Sequence, residues 1–209
     1  MRPLFITGIG TGIGKTVVSA IITTALGGDY WKPVQAGING ITDSEWVRSM
    51  IRGKSKVHPE LYKLKMSASP HISSREEGLE IVVEHICRNL PMVDRNLIIE
   101  GAGGILVPLN SKEFVIDLIH ALDARVILVS RNYLGSINHS LMTSRICKEE
   151  GLDVAGWIFN DQYMDYEMEI VEWTGLRKLA SIPRCNNIQR DFIDVQANVL
   201  KDQLASYLC

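Results

Sequence analysis

A doubly wound α/β fold, with a mostly parallel sheet covered by helices on both faces, is what the sequence predicts. Three observations carry the prediction. Short β-rich runs alternate with helix-length segments along the chain. LIIE, VILVS and VAGWIF are continuously apolar rather than alternating, as a parallel strand covered on both faces requires. Finally, the first run, LFIT, leads through a glycine-rich stretch straight into the apolar, helix-length VVSAIITTAL.

In chain order, the expected strands are Leu4–Thr7, Tyr30–Val34, Leu97–Ile99, Val126–Ser130, Val154–Phe159 and Leu179–Ile182. The expected helices are Lys15–Leu26, Asp43–Ile51, Glu76–Leu90, Val115–Leu122, Ser136–Glu150, Met164–Trp173 and Arg190–Tyr207. This alternation places a ligand at the C-terminal ends of the strands. There is no internal repeat, low-complexity segment or linker, so residues 1–209 read as one domain.

Composition narrows the function classes. The chain has 209 residues, 46% of them hydrophobic and 22% charged, which is ordinary for a globular domain with a full core. A net charge of −2 argues against a nucleic-acid or anionic-membrane surface. Positive charge for a small anion must therefore come from particular lysines and helix ends. Cys87, Cys147, Cys185 and Cys209 form no C-x-x-C pair, so neither a zinc site nor a disulfide framework is indicated. The N-terminus lacks the apolar length of a signal peptide, and no stretch of about 18 apolar residues could span a bilayer. A reduced, cytoplasmic protein is the expectation.

The stretch GIGTGIGKT, residues 8–16, raises the first functional question. A phosphate loop places four residues between its first glycine and the Gly-Lys-Thr end, whereas Ile occupies residue 9 here and the glycines stand at 8 and 10. The strand–loop–helix setting is nevertheless the one such a loop needs. Backbone N–H groups would turn inward and the helix N-terminus would add positive potential, giving a nucleotide-hydrolase-like core. Lys15 would reach the outer phosphates and the Thr16 hydroxyl would ligate Mg²⁺. One extra residue enlarges the cradle and leaves room for a second small anion. The bland alternative is a tight turn with a solvated lysine.

Three further residues attract attention. Glu100 ends the apolar run NLIIE just before a glycine cluster, where a metal-ligating carboxylate belongs; a turn-capping role is the alternative. Asp43 opens TDSEW, and by spacing alone it reads as a helix N-cap. Lys32 lies in or just past a strand, immediately before Pro33. It is either an exposed edge lysine or the partner of an anion.

Together these pieces resemble the dethiobiotin synthetase family. The long loop GIGTGIGKT, KPVQAG, TDSE, the Ser69-Pro70-His71 triplet, IIEGAGG, LGSINH at 134–139, GWIFND at 156–161 and SIP at 181–183 occur in the family's order, across nearly the whole chain. The longer loop is a feature of that family. The resemblance implies an ATP-dependent cyclo-ligase that carboxylates one amine of 7,8-diaminononanoate, phosphorylates the carbamate and closes a ureido ring with the second amine. It further implies that Lys15, Lys32 and Thr11 act at the reacting groups. Gly12, Ile13, Gly14, Lys15, Thr16 and Val17 would hold ATP, with Asn160, Asp161, Pro183 and Arg184 at the base. Mg²⁺ would be held by Thr16, Asp43 and Glu100, so the resemblance reverses the spacing-based reading of Asp43. Gly101, Ala102, Gly103 and Gly104 would lie against phosphate or substrate.

Leu134, Gly135, Ser136, Ile137 and Asn138 would open a helix whose N–H groups take the substrate carboxylate from the other subunit of a homodimer. By itself, Ser136 reads as an N-cap. Ala36 departs from the family, which often carries a hydroxyl residue there, and one contact to the diamine or carbamate would be missing. The stretch between Asn160 and Pro183 is shorter than in some relatives, and no role follows for His71. Two rivals share the loop: another phosphate-loop enzyme, such as an amidoligase or a partitioning-type ATPase, the latter expected to carry a lysine at the position of Gly10, and a non-catalytic nucleotide switch.

Overall fold

The structure is a computed structural model and describes residues 2–38, 40–161 and 164–208. The strands are β1 (Leu4–Gly8), β2 (Asp29–Trp31), β3 (Val34–Ala36), β4 (Tyr62–Leu64), β5 (Leu97–Glu100), β6 (Arg125–Arg131), β7 (Val154–Asn160) and β8 (Lys178–Ile182). The helices are α1 (Lys15–Leu26), α2 (Asp43–Met50), α3 (Pro70–Glu76), α4 (Val83–Arg88), α5 (Val115–Ala121), α6 (Ser136–Glu149), α7 (Glu167–Thr174) and α8 (Arg190–Leu208). Among the described residues, six strands form one parallel sheet in the order β2-β5-β1-β6-β7-β8, and β3 pairs with β4 in a second, parallel pair.

The continuous apolar runs are explained by burial on both faces. Side chains alternate across a strand, so Leu4, Ile6, Ile98, Ile127 and Val129 enter one core while Phe5, Leu97, Ile99, Val126 and Leu128 enter the other. The first core is closed by Val18, Ile21 and Ile22 of α1, Val47 of α2 and Ile193, Ala197, Leu200 and Leu204 of α8. The second is closed by α4, α5 and α7 through residues such as Ile86, Ile119 and Ile170. No helix is long and apolar enough to cross a membrane among the described residues. Cys87, Cys147 and Cys185 are free thiols, and Cys209 lies outside the described residues.

Two expectations fail locally. The strand expected over Tyr30–Val34 is divided, because Pro33 supplies no N–H to continue the ladder beside β5. After Lys32 the chain leaves the main sheet, and the Pro33 carbonyl instead accepts the N–H groups of Leu61 and Tyr62 as β3 joins β4. The helix expected over Glu76–Leu90 is also absent as one piece. α3 starts earlier, with Pro70 in its first turn, and stops where Gly78 takes a left-handed φ of 65°. α4 then begins afresh at Val83, whose N–H is received by the Glu113 carboxylate at 3.1 Å.

The chain passes from β5 to β6 across β1, so the C-terminal ends of β1, β5 and β6 meet at a topological switch point. There the glycine-rich loop after β1 faces Glu100 at the end of β5.

Candidate functional site

The loop is shaped by its glycines and anchored at both ends. Gly8 packs so closely on β6 that a Cβ there would lie 2.1 Å from the Val129 carbonyl oxygen. Gly14 caps α1 in a left-handed conformation (φ 91°), where a side chain would be strained and its Cβ would lie 1.9 Å from Asn160 Nδ2. That approach allows Asn160 to donate to the Ile13 carbonyl at 3.0 Å, tying the end of β7 to the loop. A second tie runs from Arg131, which donates to the Gly12 carbonyl at 3.3 Å and to Asp161 Oδ2 at 2.6 and 3.0 Å. Arg184 lies 3.8 Å from the other Asp161 oxygen.

The charged centre lies beside the loop. Glu100, only 1% exposed, receives three donors: the Thr16 hydroxyl at 2.9 Å and Lys32 Nζ at 3.0 Å on Oε1, and the Tyr30 hydroxyl at 2.9 Å on Oε2. Lys32 Nζ also donates to Asp43 Oδ2, so one ammonium stands between two carboxylates. Lys15 is equally buried, and its ammonium folds back onto the Gly10 carbonyl at 2.7 Å.

Burial and its neighbours set the two lysines apart. Burial pulls Lys15 down to about 8; Glu100 and Asp43 oppose the shift and Lys32 adds to it. Burial also pulls on Lys32, but the attraction of Glu100 and Asp43, through charge and hydrogen bonds, outweighs it and leaves Lys32 above the usual lysine value. Tyr30 is pushed well up by burial and by the Glu100 charge.

Lys15, Thr16, Lys32, Asp43 and Glu100, but not Tyr30, line a cleft of about 730 Å³ together with Thr11, Gly12, Gly14, Val17, Ala36, Ala102 and Gly103. The Ser69–Pro70 end of the Ser-Pro-His triplet also reaches it, which pattern alone did not indicate. His71 itself is held by Ser69, whose hydroxyl is 3.0 Å from Nδ1. Lys32 is therefore not an exposed edge lysine, and Glu100 is not a turn cap. Asp43 is not the N-cap either. Thr42 caps α2 in a reciprocal box with Glu45, while Asp43 takes the first helical position and turns its carboxylate to Lys32. The Asp43 N–H is received by Gln35 Oε1 at 3.3 Å. Lys32, Asp43 and Glu100 are the oxygen and ammonium groups that could handle a phosphorylated ligand, with Thr16, Asp43 and Glu100 as the oxygen set able to meet a hard cation.

The remaining candidates lie apart. Asp161 and Arg184 line a neighbouring cavity of about 550 Å³ with Thr11, Gly12 and Ile13. Pro183 is exposed beside them. Gly101 closes the end of β5 by donating its N–H to Ile6 at 2.9 Å, and Gly104 packs its backbone against Gly8. Leu134 to Asn138 do not line the cleft. Gly135, not Ser136, caps α6; Ser136 is buried, and its hydroxyl meets the Tyr166 hydroxyl at 2.8 Å. Leu134 is 92% exposed. Sequence reasoning missed Tyr30, Gln35 and Arg131. Tyr30 alone carried a signal: it stands two residues before Lys32, within the expected strand.

Comparison with known proteins gives these residues a context. A family model described as an AAA domain matches residues 2–191. The chain is 47% identical over 205 residues to the ATP-dependent dethiobiotin synthetase BioD of Cytophaga hutchinsonii, covering 97% of this chain and 98% of that protein. It is 38% identical over 190 residues to the enzyme of the same name from Nitrobacter hamburgensis, covering 90% and 89%. In fold it is similar to the MinD cell division protein of Aquifex aeolicus (TM-score 0.58, 14% identity, 99% and 96% of the two chains). A ParA family ATPase from Chlorobium tepidum is comparable (TM-score 0.55, 15% identity, 99% and 95%). Those two share the architecture alone. Identity approaching one half over nearly the full length of both chains, by contrast, extends well beyond the loop: the chain belongs to the ATP-dependent dethiobiotin synthetase family.

Proposed function

We propose that this chain is the cyclo-ligase that forms dethiobiotin from 7,8-diaminononanoate, CO₂ and ATP, in the synthesis of biotin. The observation that carries the reading is the buried Lys32 ammonium held between Asp43 and Glu100, across a cleft from the phosphate loop and its Lys15. Such chemistry needs positioned charge rather than a protein nucleophile.

The first amine adds to CO₂ and loses a proton, giving a carbamate. A carbamate oxygen attacks the γ-phosphorus of ATP, and ADP leaves. The second amine then attacks the carbamoyl carbon, phosphate departs, and the ring closes with loss of a proton. Lys15 would leave the Gly10 carbonyl to bridge the γ-phosphate and carbamate, and Lys32 would neutralise the carbamate and the transferring phosphoryl group. Thr11 and the loop N–H groups would fill the enlarged cradle. Two carboxylates and a hydroxyl, all oxygen donors beside a phosphate cradle, fit Mg²⁺, with Thr16, Asp43 and Glu100 as its ligands. When bound, Mg²⁺ would offset charge on the phosphates.

Asn160 would present its amide oxygen to the adenine amino group, since its NH₂ end is engaged with Ile13. Asp161, Pro183 and Arg184 would border the base. Leu134–Asn138 would serve the active site of a second copy, with the shared site made by a homodimer. The exposed Leu106, Leu134 and Met142 support an apolar contact there. The whole chain would act as one domain in the cytoplasm.

The test is phosphate release with ATP, Mg²⁺ and bicarbonate, with and without the diamine. Diamine-dependent release with a cyclic urea identified by mass spectrometry is expected. Release indifferent to the diamine would favour a nucleotide hydrolase or switch and overturn the reading.

A further inference from the structure

The Tyr30 hydroxyl is buried at the heart of the charged centre and belongs to none of the roles above. Tyr30 lies within β2 and Lys32 one residue past its end. Both reach Glu100, but not the same atom: Lys32 takes Oε1, together with Thr16, and Tyr30 takes Oε2 at 2.9 Å. The Tyr30 ring is fully buried in the core formed by α1, α2 and α8, so the hydroxyl has no freedom to follow Glu100 if the carboxylate rotates. Glu100 is itself only 1% exposed, and Tyr30, which supplies the Oε2 donor, does not line the cleft.

We propose that Tyr30 is a positioning residue for the cation site: by occupying Oε2 it locks the Glu100 carboxylate so that Oε1 alone is turned toward Thr16, Asp43 and the phosphate loop. The proposal rests on the reading of Thr16, Asp43 and Glu100 as Mg²⁺ ligands. A partner that fixes the orientation of a ligating carboxylate is worth roughly 10- to 100-fold in metal affinity. Tyr30 does not touch substrate.

The experiment measures free Mn²⁺ by its EPR signal during titration of the full-length protein carrying a non-hydrolysable ATP analogue. Tyr30→Phe keeps the ring and removes one oxygen, and its Mn²⁺ affinity should fall roughly 10- to 100-fold. In a Glu100→Gln background the same substitution should change the affinity by less than about twofold, since Tyr30 acts through the carboxylate. Equal Mn²⁺ affinity of the wild type and Tyr30→Phe overturns the positioning role. So does an undiminished effect in the Glu100→Gln background, which would mark Tyr30 as a packing residue. A wild type whose Mn²⁺ affinity is unaffected by Glu100→Gln would overturn the ligand assignment itself, and the proposal with it.

Discussion

Replacing Lys32 with methionine removes the cation from between Asp43 and Glu100 while keeping an unbranched, apolar side chain. Breaking a buried ion pair by deleting one partner costs about 3–5 kcal/mol, because the remaining charge is left without compensation. Two features here reduce that figure. Asp43 is 35% exposed, so water screens its share. Glu100 keeps the Thr16 and Tyr30 hydroxyls as donors. About 3 kcal/mol is therefore expected, chiefly from Glu100. For a chain of this size each kcal/mol moves the melting temperature by about 2–4 °C, so Lys32→Met should melt about 6–12 °C lower. Adding Glu100→Gln removes the uncompensated charge and should restore most of the loss, because apolar or neutral replacements of a buried pair are often tolerated. Turnover should be abolished in both variants, since the double variant recovers the fold but not the ammonium. Calorimetry alongside the phosphate-release assay reads both quantities. Unchanged melting of Lys32→Met, or a double variant less stable than the single one, would refute the electrostatic account; near-normal turnover would refute the role given to Lys32.

Gly14→Ala should cost roughly 1–3 kcal/mol through the left-handed conformation at residue 14, and the displaced Asn160 should raise the KM for ATP; an unchanged melt and KM would count against the tight loop geometry. A pH profile tests Lys15. Phosphate favours the charged ammonium, so binding raises a value that is about 8 in the free protein. ATP affinity should hold below pH 8 and weaken above it, up to roughly tenfold per pH unit; a flat binding isotherm series between pH 7 and 9.5 would contradict the effect of burial on Lys15. Thr42→Ala removes the α2 cap and should destabilise by about 1 kcal/mol; displacement of Asp43 should raise the Mg²⁺ concentration needed for half-maximal activity, and thermal melting with Mg²⁺ titration reads both.

How much of this was legible in the sequence depends on the range of the interaction. The phosphate loop and α1 were readable because strand, glycine turn and apolar helix-length run are consecutive, and α1 spans Lys15–Leu26 as the pattern indicates. By spacing alone Asp43 reads as a cap, because Thr42, one residue earlier, satisfies the same rule and forms the box with Glu45. The helix expected across Gly78 failed for a backbone reason, a left-handed turn that its apolar spacing does not encode.

Local patterning sets the class of the fold, most of its long strands and helices, and the chemistry of the loop. These depend on side-chain alternation, two-sided burial and the conformational freedom of glycine, all of which act between near neighbours. The tertiary structure decided what meets Glu100. Thr16, Tyr30 and Lys32 lie 84, 70 and 68 residues away in sequence, and they converge only because β5 inserts between β1 and β2. The ties from Asn160 and Arg131 to the loop depend in the same way on where β6 and β7 end in space. Strand order in the sheet results from packing the whole chain, and it is that order which turned a lysine before a proline into a buried cation between two carboxylates.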